Sequence, residues 1–247
     1  MRSFTAEGIL LRSYDYGDGH RIISAFTREA GKIKAVARGS RKIKSKFAAY
    51  LEPASLNIFS LHSKKESGLY SLTGVRPLAT NGNLRSDMRL FGYASLMLES
   101  VDIMTAENDP DLTLYSLFTD ALNNLSENEI SGTVWLFLFR LLKASGYRLE
   151  MFNCLNCGKD VSGKAGRFSF PSGGIICAGC AEQPPSLKIS GRSLGYVRRL
   201  SEKLALPEEA EEEIGNLIGK YIKYELGKDL KSTEFIKIFR EKCTFRT

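Results

Sequence analysis

The chain has 247 residues, 43% of them hydrophobic, which is enough to build two or three compact units with cores of their own. Lys and Arg outnumber Asp and Glu by 35 to 28, a formal charge of +7 that favours acidic partners. The longest strongly apolar run, Val134 to Phe139, is cut by Arg140, and the start of the chain has no apolar signal core. Neither a membrane span nor a secretory leader is expected, and the cytosol is the expected compartment.

Charge is spread unevenly. Residues 1–82 hold 14 basic and 6 acidic side chains, residues 83–150 hold 5 and 10, and residues 151–247 hold 16 and 12. The first third, which is the most basic, contains short β-type runs at Gly8 to Ser13, Arg21 to Arg28, Lys32 to Arg38, Ser55 to Leu61 and Leu69 to Val75. Turn glycines separate them, and no helix-period segment intervenes. Five such strands predict a small antiparallel barrel over residues 1–80, and the five-stranded barrel that habitually binds nucleic acid is the OB-fold.

Between Gly31 and Leu51 stand Lys32, Lys34, Arg38, Arg41, Lys42, Lys44 and Lys46, with no acidic residue among them. Strand periodicity sets Lys32, Lys34 and Arg38 on one face and Ile33, Ala35 and Ala37 on the other, with Arg41 to Lys46 as a neighbouring loop. Phe47 and Tyr50 could offer flat surfaces to unstacked bases. A solvated charged face is the plain alternative. Membrane binding would need an amphipathic helix or a lipid anchor beside the cluster, and neither is there.

After Asn81-Gly82-Asn83 the period changes. Leu84, Met88, Phe91, Leu98 and Val101 fall on one helical face, and Asp109-Pro110 reads as the N-cap and first residue of a helix carrying Leu114, Leu117, Ala121 and Leu125. Ser131 to Ser145, closed by Gly146, is apolar nearly all round and reads as a buried helix. Residues 81–150 thus form the first part of a helical domain. Helices resume over 186–247, where Pro207 opens one whose Glu208, Glu209, Glu211, Glu212 and Glu213 complement its dipole, while Ile214, Leu217, Ile218, Tyr221 and Ile222 face a core.

Between these parts, residues 151–185 carry Cys154-Leu-Asn-Cys157 and Cys177-Ala-Gly-Cys180, two C-x-x-C knuckles 19 residues apart. Two tight turns that each point a pair of sulfurs inward complete a tetrahedron around one zinc ion. Gly158 and Gly179 allow the turns, and Phe168 to Gly174 reads as a hairpin that returns the second knuckle. Four cysteine ligands leave no position for water, so the zinc would be structural. A redox dithiol and an iron–sulfur cluster are the alternatives. Cys243 is left over and reads as an ordinary free thiol.

Two decoys are set aside. Gly158 to Ala165 approaches the G-x-x-x-x-G-K-[ST] phosphate loop, but it ends in Ala165 and has neither the preceding strand nor the following helix. The two histidines, His20 and His62, fit turn and strand-end positions, and no nucleophile–base pair can be assembled around them. No catalytic residue is assigned, and an enzyme is not expected.

Together the fold class is α+β multidomain: an N-terminal five-stranded OB-fold barrel, then an α-helical bundle with an embedded four-cysteine zinc module. An ordered set of motifs goes further. Glu7-Gly-Ile-Leu-Leu-Arg12, Tyr16-Gly17, Arg21-Ile22, Phe26-Thr-Arg-Glu29, Gly31-Lys32-Ile33, Ala35-Val-Ala-Arg-Gly39 and Leu51-Glu-Pro53 are followed by Gly146-Tyr147, Cys154 to Gly158 and Gly173 to Cys180. This pattern resembles the bacterial recombination-repair RecO family over nearly the whole chain, departing from it at His20, where the family has an acidic or amide residue. The resemblance implies binding of single- and double-stranded DNA, annealing of complementary strands without ATP, and work with RecR to let RecA replace single-strand-binding protein, whose acidic tail such proteins dock. It also implies a bacterial cytoplasmic location at the nucleoid. On this pattern the basic surface falls on Lys32, Lys34, Arg38 and the Arg41 to Lys46 loop. The zinc ligands fall on Cys154, Cys157, Cys177 and Cys180. A zinc-ribbon factor bound to RNA or the ribosome is the rival on composition alone, and a nucleotide hydrolase is a third reading.

Overall fold

In the computed structural model, residues 2–42, 45, 48–63, 68–126, 129–161, 163–180, 185–202 and 205–243 are described. The chain divides into two units, Met1–Asn123 and Asn124–Thr247. Among the described residues, no helix is long and apolar enough to cross a membrane.

The first unit opens with β1, Arg2–Tyr16, long enough to serve two neighbours. Arg2 to Ile9 pairs with β4, Leu56–Ser63, and Gly8 to Tyr16 pairs with β2, His20–Thr27, with a bulge between Leu10 and Arg12 that bends the strand. β3, Gly31–Ala37, lies antiparallel to β2 and parallel to β5, Tyr70–Ala79, which returns to β4. The order β1-β2-β3-β5-β4 therefore closes on itself. All five expected strands are present and the barrel matches the OB-fold expectation, but it is not wholly antiparallel as expected, since β3 and β5 run parallel where the barrel closes.

Inward positions alternate along each strand. Leu10, Ile23, Ala25, Ile33, Ala35, Ala37, Leu51, Phe59, Leu61 and Leu72 form the barrel core. Ala25, Ala35 and Ala37 on β2 and β3 share this core with the larger Phe59, which is fully buried. Outside the barrel, Phe26 packs its ring against Tyr115 and Phe118 of α3, Leu112–Asn123, with centroids 6.3 and 6.4 Å away.

The helical stretch after the barrel differs from its expected phase. It is two helices, α1 (Gly82–Ser86) and α2 (Met88–Met104), separated at Asp87, whose carboxylate accepts from the Arg89 and Leu90 N–H groups. This break shifts the phase at the start of α2: Met88 and Phe91 turn outward and Leu90, Tyr93, Ala94 and Met97 are buried, while Leu84, Leu98 and Val101 are buried as expected. The cap of α3 is also corrected. Asp111, not Asp109, accepts from Leu114 N–H, because residues 107–109 are held in extended contact with β3.

That contact fixes one glycine. Gly31 has φ +64°, and a Cβ on it would lie 2.1 Å from the Asp109 carbonyl oxygen. Gly31→Val is expected to destabilise the first unit by about 3 kcal/mol through left-handed strain and the clash together. Urea unfolding measures this, and a loss below about 0.5 kcal/mol would contradict it.

In the second unit, α4 (Ile130–Ala144) buries Ile130, Val134, Trp135, Phe137, Leu138, Leu141 and Leu142, as expected of a central helix. A three-stranded sheet of order β7-β6-β8 follows, from β6 (Gly166–Ser169), β7 (Gly174–Cys177) and β8 (Ser186–Ile189). The expected hairpin is β6–β7. β8 corrects the expectation that helices resume at 186: Ser186 to Ile189 completes the sheet along β6.

Then come α5 (Gly191–Arg199), α6 (Glu208–Leu226) and α7 (Lys231–Cys243). Ile214, Leu217, Ile218, Tyr221 and Ile222 of α6 are all at or below 1% exposed. Tyr221 donates from its hydroxyl to the Arg148 carbonyl at 2.6 Å, with its ring edge-on to Phe168 at 5.0 Å. Glu208, Glu209 and Glu211 occupy the first turn of α6 as a dipole reading requires, but Glu213 does more, accepting from the Ser190 N–H and hydroxyl at the start of α5.

Candidate metal centre and nucleic-acid interface

The two C-x-x-C turns meet at the β6–β7 hairpin. Leu155 donates its N–H to the Ile175 carbonyl at 2.9 Å, tying the first knuckle to β7, while Cys177 ends β7 and enters the second. Each turn closes on itself: Gly158 N–H donates to Cys154 O and Cys180 N–H to Cys177 O, both at 2.9 Å. Gly158 needs its freedom, with φ +70°; Gly179 has no left-handed φ, so its expected role in the turn is absent.

The four sulfurs of Cys154, Cys157, Cys177 and Cys180 all lie within 4.8 Å of one another, and Cys157 and Cys177 approach to 3.8 Å. A tetrahedron with metal–sulfur bonds of about 2.3 Å has edges of about 3.8 Å, so the spacing suits one bound ion. Electrostatics agree. Burial pushes the Cys154 thiol up, but N–H groups of Cys177, Cys157 and Asn156 outweigh it and bring it down to about 6. Hydrogen bonding with Cys157 and Cys177 pushes Cys180 up to about 12. Four sulfurs this close cannot all be anionic without a cation among them. The cluster can hold a metal ion.

The near-match to a phosphate loop leads elsewhere. Gly166 starts β6, a strand where a helix would be required, and Ser162 lies outside the described residues.

The basic run of the barrel is divided by its surroundings. Ile33, Ala35 and Ala37 point inward at 0% exposed, so Lys32 and Lys34 do share the outer face. That face is covered by the end of α2. Lys32 is 8% exposed, and its ammonium donates to the Asp102 carbonyl, a cation at the negative end of a helix. The structure thus places Lys32 inside, contrary to its expected place on an open surface. Lys34 pairs with Glu107 at 2.5 Å, and that carboxylate raises its pKa against a smaller effect of burial. In the same row Arg12 meets Asp102 at 2.8 Å, and Ser24 donates to Asp102 at 2.9 Å. No local pattern in the basic run could have shown this cover, which comes from residues 99–107.

Beyond that row the cluster opens. Arg38, Arg41 and Lys42 are exposed on the turn after β3. The turn leans on the β1–β2 turn: Gly39 N–H donates to His20 Nδ1 at 2.9 Å and Arg41 N–H to Gly19 O at 3.2 Å. Arg41 also meets Asp15 at 3.4 Å, an exposed pair worth at most about 1 kcal/mol. Lys44, Lys46 and Phe47 lie outside the described residues, as does the side chain of Cys243. Tyr50 is half-buried in a short turn.

Sequence reasoning passed over Tyr14 and Tyr16, which stand 47% and 52% exposed at the same end of the barrel. The signal was the alternation of Arg12, Tyr14 and Tyr16 along β1. His62 meets its cross-strand neighbour Ser3 at 2.9 Å on the exposed surface, and His20 is engaged by Gly39.

The chain is similar to known proteins along most of its length. Residues 1–81 match the family model described as recombination protein O N terminal, and residues 85–234 match recombination protein O C terminal. The DNA repair protein RecO of Alkaliphilus metalliredigens is 32% identical over 98% of this chain and 95% of its own length. Those of Acetivibrio thermocellus and Bacillus pumilus are each 30% identical, over 98% and 94% of this chain and 100% and 92% of their own lengths. One model covers the barrel and the other the segment with the cysteine cluster; the chain belongs to the recombination protein O family, whose members are named for DNA repair and recombination.

Proposed function

We propose that this protein is a recombination-repair mediator that binds single- and double-stranded DNA at the open end of its barrel, anneals complementary strands without ATP, and with RecR helps RecA load onto DNA coated by single-strand-binding protein. The observation that supports this most is the match of both halves of the chain to the recombination protein O models. Docking of the acidic tail of single-strand-binding protein and a place at the bacterial nucleoid belong to the same reading.

The DNA contacts fall on Arg38, Arg41 and Lys42, with Lys44 and Lys46 continuing the same run in the sequence. Lys34 contributes where Glu107 yields, and Lys32 is committed to α2. Basic side chains lower the repulsion between two strands and leave base edges free to pair. Charge neutralisation therefore suffices, and no catalytic group is needed. The four knuckle cysteines hold one zinc ion, which braces the second unit and does no chemistry, since four protein ligands close its coordination.

Annealing is tested by mixing complementary single strands with the protein, without ATP, at several salt concentrations. Acceleration that fades as salt rises is expected, with a log–log binding slope near −0.7 for each phosphate neutralised on a single strand. No acceleration at any salt, or a preference for structured RNA over single-stranded DNA, would overturn the reading.

A further inference from the structure

The outer face of the barrel has two rows beyond the cover of α2. Tyr14 lies opposite Ile22, Ile22 opposite Val36, and Val36 opposite Ser71, one row across β1, β2, β3 and β5. Tyr16 lies opposite His20 in the next row, against the turn that carries Arg38, Arg41 and Lys42. The carbon chain of Lys42 extends toward Gly19, at the same end. Ile22 and Val36 are half-buried, so the face is apolar at its centre, aromatic along β1 and cationic at its end.

Two tyrosines half in water contribute little to the barrel core, which fills itself from the inner positions. They do present π-faces beside cations. That pairing suits a ligand with flat, unpaired rings strung on an anionic backbone. A duplex offers the anion but keeps its rings stacked inside, and an acidic peptide offers the anion without the rings.

We propose that Tyr14 and Tyr16 form a stacking platform for unpaired bases, with Arg38, Arg41 and Lys42 holding the flanking phosphates. This rests on the DNA-binding reading and deepens it by assigning the part of the ligand that each side chain takes. A strand stacked in this way is held by ring faces and backbone, and its pairing edges stay open to a second strand.

The test uses the full-length protein and three fluorescent probes of equal length: a thymine oligonucleotide, an abasic sugar–phosphate strand, and a duplex. Anisotropy titration should show the wild type binding the thymine strand about a hundredfold more tightly than the abasic one, roughly tenfold for each ring. Tyr14→Ala/Tyr16→Ala should collapse that ratio toward one, and Tyr14→Phe/Tyr16→Phe, which keeps the rings, should restore it. Equal wild-type affinity for thymine and abasic strands overturns the platform while leaving DNA binding intact, and that comparison needs no variant to fold. A ratio unchanged in the alanine variant overturns it as well. Failure of the wild type to bind any of the three probes overturns the DNA-binding reading itself.

Discussion

Cys154→Ser is expected to abolish metal binding and unfold the knuckle module while the barrel unit keeps its structure. Cys154 is 2% exposed, is the acceptor for Cys177 N–H at 3.3 Å, and is the sulfur whose thiolate the turn most favours. Its loss removes one of four ligands and the link between the two turns. Apparent binding energies for structural zinc are about 10–16 kcal/mol, far more than a segment with so few buried side chains gains from its own packing. Without the ion, β8 and the Tyr221 ring still hold β6, but the two turns lose what joins them. Metal content by mass spectrometry should fall from one per chain to none, and limited proteolysis should cut near residues 155–180 in the variant alone. A variant that retains one ion and resists cleavage would show that three cysteines suffice.

The second large effect is on binding. Reversing Arg38, Arg41 and Lys42 together to Glu is expected to weaken single-stranded DNA binding by about a hundredfold near physiological salt and to lower the salt slope by about 2. All three side chains are exposed, so the fold should not suffer. Lys32→Glu would behave differently. It would bury a carboxylate against the Asp102 carbonyl, an uncompensated charge costing several kcal/mol, so any lost binding there would report unfolding. Titration of the triple variant at three salt concentrations, with thermal unfolding as a control, separates the two effects. Undiminished affinity would mean that the exposed turn is a solvated face.

Much of this molecule could be read from residue order. Strand alternation gave the barrel and its inward residues because a side chain's face in a strand depends only on its immediate neighbours. The C-x-x-C spacing gave the sulfur cluster because two ligands three residues apart need only one turn. What escaped depends on distant chain. Lys32 looks like any outward lysine until α2, some 70 residues later, lays its last turn over it. Leu84 to Val101 reads as one helix until Asp87 is seen to cap a second. Ser186 to Ile189 is too short to declare a strand without β6 to pair with. Tyr14 and Tyr16 were visible as alternating residues, but only the register with β2 sets them beside the basic turn.

The doubly paired first strand has a consequence for how the protein is made. Residues 2–16 leave the ribosome well before residues 56–63, the partner that closes the barrel along Arg2 to Ile9. At about 5–20 residues per second, the 47 residues that separate Tyr16 from Ser63 impose a wait of about 2–10 s. During that interval one edge of β1 presents unpaired backbone to whatever is nearby, a template that chaperones cover and nascent neighbours can misuse. Slow codons between residues 17 and 63 would lengthen the interval, and a lower yield of native protein should follow.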